Sequence, residues 1–105
     1  MGYILHHAIV VTTWDEESAE QALVEANRLG LDCSGLVASH MNGYRSLLIA
    51  PDGSKEGWDY SDAGDDRRDE FKAWMKTLRS LSWVEVAYGN DDAAARVVDH
   101  KWRNT

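Results

Sequence analysis

Four histidines, His6, His7, His40 and His100, are the side chains here best suited to acid–base or metal chemistry, since imidazole changes charge near neutral pH and commonly ligates metals. Their spacing argues against both. A strand sends the adjacent His6 and His7 to opposite faces, so the two cannot share one ion. A site built from one of them with His40, His100 and Cys33 would have to be assembled across strands, and no HExxH or paired-cysteine pattern accompanies it. Cys33 has no cationic neighbour in sequence and reads as a small side chain at a strand start rather than a reactive thiol. The series Asp59, Asp62, Asp65, Asp66 and Asp69 lacks the alternating spacing and terminal glutamate of a calcium loop, and reads as a solvated helix start. Nucleophile-elbow, P-loop and dinucleotide fingerprints are absent. The expectation is therefore a protein with no catalytic residue, no metal and no cofactor.

Recognition chemistry remains. Asn42, Tyr44 and Arg45 fall at one end of a strand, and these residue types suit a planar, anionic ligand better than a core. Arg28, Arg96, Lys101 and Arg103 add cations for phosphate. Five tryptophans exceed what so small a core needs. Trp74 shares an apolar helical stripe and belongs to the core, whereas Trp58 and Trp102 serve either a subunit interface or stacking on a ligand. Asn42 is already explained by the turn it occupies.

The elements that must position these residues follow from periodicity. Tyr3 to Thr13 is rich in β-branched residues with apolar groups on both alternating faces, as in a central strand. Thr13 and Glu16 form a capping-box pattern before a helix from Trp14 to Leu29, with Ala19, Ala22, Leu23, Ala26 and Leu29 inward and Gly30 at the left-handed C-terminal position. Leu36 to Met41 and Tyr44 to Ala50 read as a hairpin about Asn42-Gly43, the dipeptide of a two-residue turn, which would pair Met41 with Tyr44, His40 with Arg45, Ala38 with Leu47 and Leu36 with Ile49. Pro51-Asp52-Gly53 ends the second strand. A second helix, capped by Ser61 or Asp62 and running to Ser80, presents Phe71, Trp74, Met75 and Leu78 at helical spacing, with acidic residues early and basic ones late. Trp83 to Tyr88, a turn at Gly89-Asn90-Asp91-Asp92, and Ala94 to Trp102 complete the chain.

The order βαββαββ predicts an α+β fold, an antiparallel sheet with two helices on one face, ferredoxin-like or related. The 105 residues make one domain, with eighteen acidic against eleven basic side chains and a formal charge of -7. Such a charge disfavours a binder of long nucleic acid. No stretch is long and apolar enough to span a bilayer, and a single cysteine fits a reducing compartment, so a cytosolic protein is expected.

The strings VVTTWDEE, NGYRS, APDGSKEGW, SDAGDDRRDEF and WVEVAYG together resemble the small phage-encoded Thoeris anti-defence sponge family. That resemblance implies an oligomer in an infected host cell. Such proteins sequester a cyclic ADP-ribose isomer, and in some relatives cyclic oligonucleotides, without cleaving it. Within such a mechanism Trp74, Tyr44 or Phe71 would stack on adenine, Arg28, Arg45, Arg96 or Arg103 would pair with phosphates, and Asn42 or Asn90 would read ribose or base edges. Two alternatives stand beside it: an acidic protein that inhibits a host enzyme by direct contact, and a hydrolase of the same nucleotide signals.

Overall fold

The β-branched run at the N-terminus becomes the centre of the sheet. In the computed structural model, which describes residues 4–55, 57–89 and 95–103, strand β1 (His6–Thr13) is flanked by β3 (Arg45–Ile49) and β4 (Ser82–Tyr88). Strand β2 (Val37–Ala38) lies outside β3, and β5 (Arg96–Lys101) lies outside β4. Every pairing is antiparallel, in the order β2-β3-β1-β4-β5. The first four strands thus have the ferredoxin-like order, with β5 added at the β4 edge. The α+β class and the element order are as the sequence predicts.

Both helices lie on one face. Helix α1 (Glu16–Arg28) places Ala19, Ala22 and Ala26 inward, and these small side chains let its backbone approach the sheet. Helix α2 (Asp59–Met75) buries Ser61, Gly64, Arg68, Phe71 and Met75, an inward stripe that is polar in its first half and apolar in its second. Phe71, Met75, Ala22 and Ala26 close a core on Ile9, Val11, Leu47, Ile49, Leu81 and Trp83. Only the C-terminal half of α2 therefore rests on hydrocarbon. Its N-terminal half rests on charge.

Several boundaries differ from the sequence reading. Asp15 takes the N-cap position instead of Thr13, and its carboxylate accepts from Ser18 Oγ at 2.6 Å while Thr13 Oγ1 accepts from Asp15 N at 3.1 Å. Helix α2 starts earlier and ends at Met75 rather than Ser80. Gly30 does take the left-handed position (φ 74°), and the bonds Leu31 N to Ala26 O and Gly30 N to Asn27 O close the helix end.

The hairpin is the largest correction. Val37 pairs with Ser46, Ala38 with Arg45, and Ser39 N donates to Tyr44 O at 2.8 Å. The loop therefore spans four residues, 40–43, and the register is shifted by two from the expected one. Asn42 and Gly43 do have positive φ, 63° and 67°. Upstream, Ser34 N donates to Leu48 O and Ala50 N to Asp32 O, so residues 32–34 pair with β3 one position out of step with β2. One extra residue between Cys33 and Val37 makes this offset, and the expected strand Leu36 to Met41 shortens to Val37–Ala38.

Candidate functional site

Among the described residues no element covers the sheet face opposite the helices. Alternation along β1 and β4 sends Val10, Thr12, Ser82 and Val84 there, and together with His100 and Trp102 they line a groove of about 430 Å³. Trp83 and Lys101 border it, but their side chains belong to the helix face: Trp83 lies in the core, and Lys101 Nζ donates to Leu78 O and Leu81 O. Lys101, expected as a phosphate cation, instead satisfies main-chain carbonyls past the end of α2. The groove is apolar at its floor with hydroxyl groups at one end, and its volume falls in the range of small-molecule sites.

Two predicted residues meet at that end. Arg103 N donates to Ser82 Oγ at 3.0 Å, and Arg103 Nη1 donates to Tyr44 Oη at 3.0 Å. The guanidinium therefore reaches from the end of β5 across β4 and β1 to the start of β3. It also lies 5.4 Å from the Trp102 ring centroid. Beneath this strap Thr12 Oγ1 and Ser46 Oγ are 2.9 Å apart. Aromatic rings, hydroxyls and a forked cation are thus brought together from residues far apart in the chain.

The remaining predicted site residues are dispersed. Arg45 points to the helix face, where its guanidinium lies 3.6 Å from Glu16, and its cross-strand neighbour is Ala38 rather than His40. Phe71 is fully buried, stacked on Trp74 at 6.0 Å, and has no surface for a ligand. Trp74, half-buried against the core, borders a second groove lined by Glu17, Glu20 and Glu25, whose charge opposes a phosphate. Arg28 is paired with Glu25 and, at 3.7 Å, with Glu70. Asn42 is a turn residue, Arg96 lies exposed at the start of β5, and Asn90 falls outside the described residues. The expected turn at 89–92 likewise lies largely outside them.

A charged cleft on the helix face escaped the sequence reading. Glu85, only 4 % exposed, faces the polar half of α2 in phase with Trp83 and Ala87. Its carboxylate accepts from Lys72 Nζ at 2.6 Å and lies 3.2 Å from His7 Nδ1 and 3.8 Å from Arg68 Nε. Burial alone would raise this carboxyl, but the hydrogen bonds from His7 and Lys72 outweigh it and hold it at about 2. Burial likewise opposes the charge on Lys72, and its bonds to Glu85 and Asp99 more than compensate, raising its pKa. Arg68 also pairs with Asp65 and lies 3.7 Å from Asp52. One signal for this cleft was present in sequence: an acidic residue at an inward position of the strand Ser-Trp-Val-Glu-Val-Ala-Tyr.

Among the described residues no group of three or more His, Cys, Asp or Glu side chains could hold a metal, and no helix is long and apolar enough to cross a membrane. No protein-family profile and no curated protein matches the chain. Among solved structures it is similar to a phage SAM lyase in complex with S-methyl-5′-thioadenosine, with 13% identity over 93% of each chain and a TM-score of 0.39. That likeness is too distant to give this chain an activity or a ligand. That neighbour is an enzyme, and the expectation that this chain is none is not carried forward.

Proposed function

We propose that the protein binds a nucleotide-class small molecule in the groove on the open face of the sheet. The observation that carries this reading is the Arg103–Tyr44 hydrogen bond beside Trp102, which places a guanidinium, a phenol and an indole at one end of an apolar trough. Trp102 offers a face for a base, the Thr12 and Ser82 hydroxyls suit sugar or base edges, and Arg103 suits a phosphate. The resemblance to the Thoeris anti-defence family makes a cyclic ADP-ribose isomer the first ligand to try.

Thermal melting of the full chain with cyclic ADP-ribose isomers and with cyclic oligonucleotides tests the reading, with mass spectrometry of the recovered ligand to show whether it returns intact or altered. A ligand-dependent rise in Tm is expected, lost in Arg103→Met and reduced in Tyr44→Phe. Arg45→Ala, on the other face, should keep the rise. If no nucleotide raises the melt, or if Arg103→Met responds like the parent, the groove is not the site.

A further inference from the structure

The His7–Glu85 pair lies on the opposite face of the sheet from the groove proposed above as the nucleotide site. His7 Nδ1 is 3.2 Å from Glu85 Oε2, and the carboxylate, held ionised by Lys72, can only accept. The proton of a neutral His7 is thereby fixed on Nδ1, which leaves a lone pair on Nε2. No hydrogen bond engages Nε2 among the described residues. The ring is 20% exposed and lines a cleft of about 290 Å³ between α2 and the β4–β5 edge. An imidazole oriented through one nitrogen by a buried carboxylate, with its ring lining a cavity and its other nitrogen unbonded, is the geometry of a general base.

The charges around His7 select what could reach it. Lys72 is shared among Glu85, Asp69 and Asp99, and Arg68 among Asp65, Asp52 and Glu85. Both fixed cations of the cleft are therefore already neutralised, and an anion would gain little from them. A cation fares better, because five carboxylates, Asp52, Asp65, Asp69, Glu85 and Asp99, share these two cations, and Asp65, Asp69 and Asp99 keep 44%, 72% and 37% of their side chains in solvent.

We propose that this cleft is a proton-transfer site for a small organic ammonium, with His7 as the base and Glu85 as the residue that positions it. The step is balanced within the pair. The N–H bond of the bound ammonium breaks, its proton forms a bond to His7 Nε2, and its electron pair stays on the nitrogen, giving a neutral amine and an imidazolium facing the Glu85 carboxylate. A neutral amine is a nucleophile, which an ammonium is not.

The test is side-chain 15N NMR of the full chain with putrescine as the probe. In the free protein the neutral ring of His7 should carry its proton on Nδ1. Putrescine should shift its ring nitrogens saturably, while sodium chloride at matched ionic strength should not. Asp69→Asn, a change at an exposed side chain, should weaken the response about threefold, the scale of one exposed carboxylate. A proton on Nε2 would overturn the assignment of the base. Equal shifts with putrescine and with salt, or a response unchanged in Asp69→Asn, would overturn the ligand site. His40 and His100, outside the cleft, report nonspecific effects in the same spectra.

Discussion

Replacing Glu85 with glutamine should flatten the dependence of stability on acid. The carboxyl falls from an ordinary 4.5 to about 2 on folding. A depressed carboxyl stabilises the fold fully above its unfolded value, and that stability drains away as pH falls toward the folded value. The full shift corresponds to about 3 kcal/mol as an upper bound. About half of that would remain near pH 3 and little near pH 2. Solvent at the mouth of the cleft screens the charges, so an effect of about 2 kcal/mol at neutral pH is the working figure. Glutamine keeps the shape and can still accept from Lys72, and Lys72 retains Asp99 at 3.2 Å and Asp69 at 3.5 Å, so the variant is not left with an unpaired buried cation. Urea unfolding of parent and variant at pH 7, 5, 4 and 3 gives the difference directly. The gap should be near its maximum at pH 7 and 5 and should shrink through pH 4 and 3. A gap of the same size at pH 3 and pH 7 would refute the ionised, doubly bonded Glu85, and a gap that grew on acidification would reverse its sign.

Two further outcomes test the packing. Phe71→Ala should cost about 3–5 kcal/mol in denaturant unfolding, because the ring is wholly enclosed between the helices and the sheet and its loss leaves a cavity. A cost below that of an ordinary surface change would mean the core is drawn wrongly. Gly89→Ala should lower stability by about 1–3 kcal/mol, since φ there is 102° and the added methyl would sit 2.8 Å from His6 Cδ2. A melting temperature equal to the parent's would show that the strand end is free to adjust.

The placement of the elements was legible in sequence wherever the signal was local. The apolar run of β1, the small-residue face of α1 with Gly30 at its end, and the Phe71–Met75 stripe each follow from the spacing of neighbours in the chain, which is set by helix and strand geometry. The βαββαββ order followed from those pieces. The hairpin register did not, because Asn42-Gly43 fixes two backbone angles but not how many residues flank them. The pairing of Val37 with Ser46 and Ala38 with Arg45, continued by the Ser39–Tyr44 bond, decided it.

The sites divide in the same way. Sequence could single out Tyr44 and Arg103 by chemistry, but it gave His7 only as one of four histidines with no catalytic or metal pattern. It could not bring Tyr44 to Arg103, which are fifty-nine positions apart, or His7 to Glu85, seventy-eight apart, because those contacts depend on which strands become neighbours. It also could not show that Arg45 and Phe71 are turned away from the groove. Local spacing determined the strands, the helices and their inward faces. Only the antiparallel order β3-β1-β4-β5 gathered an apolar trough on one face and a histidine held by a buried carboxylate on the other, since side chains distant in the chain become neighbours through sheet pairing alone.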